Sequence, residues 1–287
     1  MIELTHTRDV NVLAAAELRG RSRSDGQTVA FDARFADERV MAAFTSSAGG
    51  VSDGPYATLN LSFQTGDDPD RVADNRRRAA ESLGYDPSRL VVAQLAHGPN
   101  VEVIGEDRIG AGAHDYESGI ATTDALVTNL RGVPLSVLVA DCAPVLLYDR
   151  ARQAVGVSHA GWRGARDRVA AATVQAMVEK YGTDPTELQV AVGPCISLPS
   201  FEMGTKEAAE CAAEFGDNVV SWAYGPKPHV DLRAMVTAQL LEVGVPPEQI
   251  ELLSDDTMTS PTFFSHRASM AATGQTGGRF AGMVMVR

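Results

Sequence analysis

The sequence predicts one α+β domain in which strands outnumber helices. Short apolar segments of strand length alternate with a few amphipathic segments of helical period, and turn residues separate them. No internal repeat, low-complexity tract or linker divides the 287 residues, and a chain of this length can bury one large core. We therefore treat residues 1–287 as a single domain.

The first half of the chain predicts strands around one helix. Gln27–Phe35 and Val40–Thr45 are expected to pair as a hairpin. The dipeptide Asp68-Pro69 has an N-cap residue followed by a proline at the first helical position, so a helix is predicted over Asp70–Leu83, and Gly84 ends it. Further strands are expected at Leu90–Leu95, Val101–Ile104 and Asp124–Thr128.

The second half continues this alternation. Strands are predicted at Val133–Ala140, Val145–Tyr148, Ala154–Ser158, Leu188–Val192 and Arg279–Val286. Helices are predicted at Arg166–Tyr181, Gly204–Phe215 and Asp231–Val243. Residues 149–153 fit the turn of a hairpin whose arms are Val145–Tyr148 and Ala154–Ser158. Counting back from that turn places Cys142 and His159 nearly opposite each other.

Composition excludes several classes of protein. The net charge of −12 argues against nucleic acid as a partner, because phosphate backbones are bound by basic surfaces. No apolar run approaches the roughly 20 residues that a membrane-spanning helix needs, and the N-terminal residues lack the apolar core of a signal peptide. Three cysteines without a CxxC pair indicate a reducing compartment, so we expect a cytoplasmic protein. Nothing in the sequence calls for an obligate protein partner.

Three potential ligands or nucleophiles stand at the ends of apolar strands beside Gly or Pro. They lie in the segments Gln94-Leu95-Ala96-His97-Gly98, Ala140-Asp141-Cys142-Ala143-Pro144 and His159-Ala160-Gly161-Trp162-Arg163-Gly164. A chain leaving a strand at such a position can aim a side chain into a pocket. Taken singly, each histidine could be an ordinary loop residue and the cysteine an inert apolar one. The hairpin contact between Cys142 and His159 favours a joint site that includes His97.

This trio permits two kinds of chemistry. Two imidazoles and one thiolate leave a fourth position open on zinc, which is the arrangement of a catalytic site. Alternatively, Cys142 is a metal-free nucleophile activated by His97 or His159. We favour the metal, because a cysteine hydrolase needs only one histidine. Copper is an alternative occupant of the same ligands.

Two neighbouring residues are candidates for supporting roles. Arg163 precedes the predicted helix at Arg166, and a helix start with a nearby guanidinium is suited to an anion such as phosphate. Asp141 could orient a ligand histidine or act as a base, or it could simply cap the local turn.

Five motifs in the same order resemble the YfiH family, which is variously labelled laccase-domain polyphenol oxidase, purine nucleoside phosphorylase and peptidoglycan editing factor. Similarity extends from about Phe44 to the C-terminus. The motifs are Asp124-Ala125-Leu126-Val127-Thr128, Ala140-Asp141-Cys142-Ala143-Pro144, His159-Ala160-Gly161-Trp162-Arg163-Gly164, Gly193-Pro194-Cys195-Ile196 and Phe263-Phe264-Ser265-His266-Arg267.

The resemblance implies a fold, a metal and an activity. The implied fold is a mixed β-sandwich with helices on its outer faces, and the implied zinc ligands are His97, Cys142 and His159. The implied activity is phosphorolysis of adenosine, inosine, guanosine and methylthioadenosine, with deamination of adenosine, so nucleoside and phosphate are the expected partners. Asn60 and Arg267 match motif positions and could contact ribose or phosphate, or serve local hydrogen bonds. A cysteine hydrolase acting on a cell-wall precursor and a non-enzymatic zinc protein stay open as alternatives.

The sequence departs from the family pattern near the expected substrate pocket. Ser47 and Ala48 stand where family members usually have Arg-His, and the Phe263–Arg267 motif has one arginine fewer than usual. Substrate binding should therefore be weaker than the pattern implies. The laccase label fails a simple count, because a multicopper oxidase needs roughly ten histidines and this chain has six.

Overall fold

The computed structural model describes residues 10–287, and two mixed sheets packed face to face form its core. The first sheet has seven strands in the spatial order β1 (Asn11–Leu13), β14 (Ile250–Leu253), β11 (Gln189–Val192), β9 (Ala143–Asp149), β10 (Ala154–Ala160), β7 (Ala125–Thr128) and β6 (Val101–Val103). The second has six in the order β2 (Gly20–Ser22), β3 (Thr28–Asp32), β4 (Val40–Thr45), β15 (Phe280–Val286), β8 (Leu135–Val139) and β5 (Val91–Val92). A separate ribbon pairs β12 (Val220–Ser221) with β13 (His229–Val230).

The described residues form six α-helices, five of which cover the outer faces of the two sheets. They are α1 (Pro69–Leu83), α2 (Trp162–Arg166), α3 (Val169–Tyr181), α4 (Thr205–Phe215), α5 (Leu232–Glu242) and α6 (His266–Thr273). Helix α1 packs on the six-stranded sheet, and α2 to α5 pack on the seven-stranded sheet. The predicted α+β class, with a single helix-flanked β-sandwich, is confirmed. No helix within residues 10–287 combines the length and apolar character needed to cross a lipid bilayer.

Strand β9 is apolar from Ala143 to Tyr148 because both of its faces are buried. Val145 and Leu147 face the helices, whereas Leu146 and Tyr148 face the opposite sheet. Because successive side chains of a strand point to opposite faces, a strand covered on both sides needs apolar residues at every position. This burial on both faces holds the start of β9 in place. The position of Cys142, which immediately precedes the strand, is fixed with it.

The predicted hairpin is confirmed, but its register differs slightly from the count. Strands β9 and β10 pair antiparallel with Ala160 opposite Ala143 and His159 opposite Pro144. Continued by one residue, this register puts Cys142 opposite Gly161, two positions beyond His159. The two side chains therefore meet diagonally across the end of the hairpin.

The predicted helix start at Asp68 is also confirmed. The Asp68 carboxylate accepts a 2.9 Å hydrogen bond from the backbone N–H of Asp70, and Gly84 closes α1 with a φ of +75°.

The helix predicted over Arg166–Tyr181 is present, but it begins three residues later than predicted, after a break that separates it from α2. Helix α2 ends at Arg166, Arg168 adopts a left-handed φ of +66°, and α3 begins at Val169. The buried side chain of Gln239 stabilises the break, since it donates to the Ala165 carbonyl (2.8 Å) and accepts from the backbone N–H of Ala170 (3.2 Å). The apolar periodicity of the segment gives no sign of this partner, which is distant in sequence.

Two other elements differ from prediction at the edge of the site. Only Val91–Val92 of the predicted Leu90–Leu95 strand pairs in a sheet, and the chain then leaves the sheet towards His97. Helix α6 was not predicted, although its sequence carries end signals. Ser265 accepts from the Ala268 N–H at 3.0 Å, and Gly274 ends the helix with a φ of +69°.

Candidate metal centre

His97, Cys142 and His159 converge at one end of the β-sandwich. Their ligand atoms all lie within 4.8 Å of one another, and these three form a group of metal-binding character among the described residues. His97 is exposed, Cys142 is half-buried and His159 is buried. Zinc bonds of about 2.0 to 2.3 Å to nitrogen and sulfur fit a cluster of this size and donor chemistry.

A buried carboxylate holds the loop that carries His97. Both oxygens of Asp124 accept backbone hydrogen bonds, from Ala96 (3.1 Å), His97 (2.9 Å) and Gly98 (2.8 Å). His97 has a left-handed φ of +61°, which is uncommon for a residue with a side chain. The three hydrogen bonds stabilise this conformation, and strained residues of this kind concentrate at functional sites.

The same carboxylate orients His159. The Nδ1 atom of His159 lies 2.8 Å from Oδ1 of Asp124, and the His159 backbone N–H donates to the Asp124 carbonyl at 2.7 Å. Because an ionised carboxylate only accepts, Nδ1 is the donor, and a neutral ring then keeps its lone pair on Nε2. Burial opposes ionisation of Asp124, but hydrogen bonds from His159 and from the loop N–H groups hold its pKa below the usual value.

Gly161 leaves the space in which the three side chains meet. A Cβ atom at this position would lie 3.0 Å from Cys142 Sγ and 3.1 Å from His97 Cδ2, with His159 Cε1 at 3.5 Å. Any larger residue would therefore intrude on the cluster. The glycine at the end of the hairpin therefore leaves room for the three side chains to meet.

Without a metal, Cys142 and His159 form a charged pair. Burial alone would raise the pKa of the Cys142 thiol, but the positive charge of His159 and hydrogen bonds from His159 and His97 lower it to about 6. Burial alone would lower the pKa of His159, but the Cys142 thiolate and Asp124 raise it to about 9. Near neutral pH the sulfur is therefore a thiolate, the form that binds metals and attacks electrophiles.

The cluster opens into a cavity of about 450 Å³, a volume suited to a small organic ligand. Its lining includes all three cluster residues and the side chains of Arg76, Tyr116 and Arg279. Arg76 is 6% exposed, and burial lowers its pKa to about 10, so it is still a cation at neutral pH. The sequence pattern did not indicate either arginine as part of the site.

Asp141 and Asn60 make local hydrogen bonds rather than lining the cavity. Asp141 accepts from the Thr257 hydroxyl and from the backbone N–H of Arg267, both at 2.7 Å, so it stabilises the start of α6. The carboxylate that orients a histidine is Asp124. The Asn60 amide donates to Ser62, Thr65 and Asp67, and its oxygen accepts from the backbone N–H groups of Ser62 and Arg279.

Arg163 and Arg267 also lie outside the cavity lining. The Arg163 guanidinium stacks on the ring of Trp162, 4.4 Å from its centroid. Arg267 donates to the Glu202 carbonyl at 2.6 Å and stacks on Phe201. The geometry gives no support to the ribose or phosphate contacts predicted for these arginines or for Asn60. Ser47 and Ala48 likewise do not line the cavity.

Comparison with known families decides the relationship that the motifs suggested. A family model described as multi-copper polyphenol oxidoreductase laccase matches residues 41–287. The chain belongs to this laccase-domain family. Its described residues bring together one His-Cys-His cluster. A multicopper laccase needs ligands for several copper ions, so this cluster alone does not make a laccase centre.

Curated relatives of this laccase-domain protein carry a different name. A purine nucleoside phosphorylase of Corynebacterium glutamicum is 36% identical over 245 residues, which is 85% of this chain and 94% of the relative. Another from Streptomyces griseus is 38% identical over 242 residues, 84% of this chain and 92% of the relative. The crystal structure of YlmD from Geobacillus stearothermophilus has a TM-score of 0.85 at 28% identity and covers 94% of this chain and 99% of its own.

Proposed function

We propose that this protein is a zinc-dependent purine nucleoside phosphorylase. The observation that carries the proposal is the His97, Cys142 and His159 cluster opening into a cavity large enough for a nucleoside. Relatives that match more than four-fifths of the chain are named purine nucleoside phosphorylases, which supports the reaction class. The proposed substrates are adenosine, inosine, guanosine and methylthioadenosine, and adenosine is also deaminated.

The proposed metal ligands are Nε2 of His159, the Cys142 thiolate and the His97 imidazole. Bound zinc would supply Lewis-acid chemistry that polarises a water molecule or a substrate oxygen. Asp124 keeps a proton on Nδ1 of His159, so that the other ring nitrogen is available to the metal. The loop N–H bonds to the same carboxylate fix the approach of His97.

In phosphorolysis, the bond between the sugar C1′ and the purine nitrogen breaks and a phosphate oxygen bonds to C1′. The proton of hydrogen phosphate ends on the base, and the products are free base and ribose 1-phosphate, or methylthioribose 1-phosphate from methylthioadenosine. The walls of the cavity contribute by holding phosphate and nucleoside together, since orientation of two reactants lowers the barrier of a bimolecular step. We further propose that the enzyme works in the cytoplasm, where the Cys142 thiolate stays reduced.

The test is a nucleoside panel on protein whose zinc content has been measured. We expect free base from inosine only when phosphate is present, and inosine plus ammonia from adenosine in its absence. Base release that is independent of phosphate would indicate a hydrolase and contradict phosphorolysis. A parallel assay with copper-substituted protein identifies which metal supports the reaction.

A second function is favoured by one observation, the metal-free charge pair. A thiolate beside an imidazolium whose other nitrogen contacts a buried carboxylate is the arrangement of a cysteine hydrolase. Such an enzyme would act on an amide or ester of a cell-wall precursor. Measuring the zinc content of the active protein distinguishes the two functions. Zinc bound to the Cys142 sulfur would block the hydrolase, whereas the phosphorylase requires it. A protein that binds zinc and shows neither activity would be the non-enzymatic alternative.

A further inference from the structure

Two arginines, the buried Arg76 and the half-buried Arg279, line the cavity next to the metal cluster. Arg76 comes from α1 and Arg279 is the residue immediately before β15, so the two are far apart in the chain. The backbone of Leu61 connects them. Its N–H donates to the Arg279 carbonyl at 3.1 Å, and its carbonyl accepts from Nε of Arg76 at 2.8 Å. The two side chains therefore reach the cavity from neighbouring points of its wall.

Neither guanidinium has used all its donors. Arg76 donates through Nε to Leu61 and through Nη1 to the carbonyls of Gly112 and Ala113, which leaves both N–H bonds of Nη2 without an acceptor among the described residues. The Phe63 ring lies 4.4 Å from its guanidinium carbon and holds the plane of the fork. A cation that is more than nine-tenths buried with two unused donors is costly unless something in the cavity accepts them.

Arg279 shows the same pattern. Its Nη1 donates to the carbonyls of Gly277 (2.8 Å) and Gly278 (3.0 Å), and its Nη2 donates once, to the Thr276 hydroxyl (3.1 Å). The N–H of Nε and one N–H of Nη2 are without an acceptor within residues 10–287. These two atoms form one edge of the guanidinium, the edge that binds two oxygens of one oxyanion.

The cavity lining carries two guanidinium groups and one carboxylate. Burial lowers the pKa of Arg279, and the negative charges of the Cys142 thiolate and of Asp141 oppose this shift. Burial and the charge of Arg279 together lower the pKa of His266, another residue of the lining. The carboxylate of the cavity lining belongs to Asp115. Its side chain is exposed to solvent and accepts a 2.7 Å hydrogen bond from the Ser118 N–H.

We propose that Arg76 and Arg279 bind a phosphate group in the cavity. Phosphate is the second substrate of phosphorolysis, so this assignment rests on the proposed function. The proposed phosphate site lies beside the metal cluster rather than at Arg163. Four unused donors on two planar forks match the oxygens of a tetrahedral dianion. Asn60 is a positioning residue for this site, because its amide oxygen accepts from the Arg279 backbone N–H at 2.9 Å.

The test is calorimetric titration of zinc-loaded protein with inorganic phosphate at constant ionic strength. We expect Arg279→Gln to weaken phosphate binding about ten- to a hundredfold, because a hydrogen bond to a charged group is lost. Arg279→Lys keeps the charge without the fork and should lose part of the affinity. Arg76→Gln should weaken phosphate binding in the same way. If its melting temperature shows that it does not fold, Arg76→Lys replaces it in the titration. The matched control is Arg150→Gln on the surface, which should bind phosphate as the wild type does.

The outcomes separate this site from the proposed function. Unchanged affinity in Arg279→Gln and Arg76→Lys, no phosphate binding by the wild type, or loss in Arg163→Gln alone would overturn the site. Phosphorolysis with an unchanged KM for phosphate in Arg279→Gln would also overturn the site while the function stands. Phosphate binding that depends on Arg279, without cleavage of any nucleoside, would keep the site and end the function.

A second set of titrations identifies the source of the phosphate group. If the site takes inorganic phosphate, the wild type should bind inosine and phosphate together, and inosine 5′-monophosphate should compete with both. If it takes the phosphate of a nucleotide, inosine 5′-monophosphate should bind more tightly than inosine, and Arg279→Gln should remove that advantage. Equal affinity of inosine and its monophosphate in every variant, without phosphate competition, would contradict both.

Discussion

Asp124 and His159 are joined twice, through the 2.8 Å contact between Oδ1 and Nδ1 and through a backbone hydrogen bond of 2.7 Å. The strand register explains the pairing, because β7 and β10 run antiparallel with Ser158 opposite Ala125. The same carboxylate accepts from the His97 N–H. One buried side chain thus sets the orientation of both proposed histidine ligands.

Replacing this carboxylate should weaken metal binding. In Asp124→Asn, the amide cannot accept all of the hydrogen bonds from His159 and the His97 loop, so both imidazoles lose their fixed orientation. We expect zinc affinity to fall about 10- to 100-fold, as for other carboxylates that support a histidine ligand. Competition with a chromophoric chelator measures this change.

Asp141→Asn is the matched control for that substitution. Its carboxylate contacts Thr257 and the N–H of Arg267, not a histidine, so zinc affinity should stay near the wild-type value. Loss of zinc in Asp141→Asn with retention in Asp124→Asn would reverse the assignment of these two carboxylates.

Gly161→Ala should damage the centre without altering any ligand. The added methyl group would press on Cys142 Sγ and His97 Cδ2. Overpacking of this kind costs roughly 1 to 3 kcal/mol, which corresponds to about a ten- to hundredfold loss of zinc affinity. In Gly98→Ala the new Cβ meets nothing within 4 Å, so its zinc affinity should be unchanged. Equal zinc affinities in the two variants would show that the space at Gly161 is not needed.

The metal-free protein should react with iodoacetamide at Cys142 in a pH-dependent way. Because its pKa is lowered to about 6, the thiolate is present above that pH and is lost as the pH falls below it. We therefore expect the alkylation rate to be high at pH 7 and to drop through a midpoint near pH 6. Mass spectrometry of the alkylated peptides follows each cysteine separately, and added zinc should protect Cys142.

The other cysteines provide an internal comparison in the same experiment. Burial raises the pKa of Cys195 and of Cys211 to about 11, and both side chains are fully buried, so they should stay unmodified in the folded protein. A midpoint above pH 8 for Cys142, or equal labelling of all three, would contradict the charge pair with His159.

Sequence patterns predicted the three cluster residues and the elements that carry them, because each ligand follows or precedes a strong strand signal. They did not predict Asp124 as a support, although its motif was recognised. Its role depends on the pairing of β7 with β10, which brings together two residues 35 positions apart and which a single sequence does not specify.

The two cavity arginines were missed for a related reason. Arg76 occupies the buried stripe of α1 together with Val72, Ala79 and Leu83, and a charged residue in an apolar stripe is itself a signal. Its partner Arg279 is brought beside it only by the closure of the C-terminal strand into the second sheet. Arg163 had the more obvious local pattern, but Gln239 already satisfies the start of the following helix.

The most direct test of the central claim is the stoichiometry of phosphate use. Zinc-loaded wild-type protein is incubated with inosine and phosphate, and hypoxanthine, ribose 1-phosphate and remaining phosphate are quantified together. We expect one phosphate to be consumed for each hypoxanthine released, and no release by a folded Cys142→Ser variant. Hypoxanthine release without phosphate consumption, or undiminished release by Cys142→Ser, would contradict this expectation.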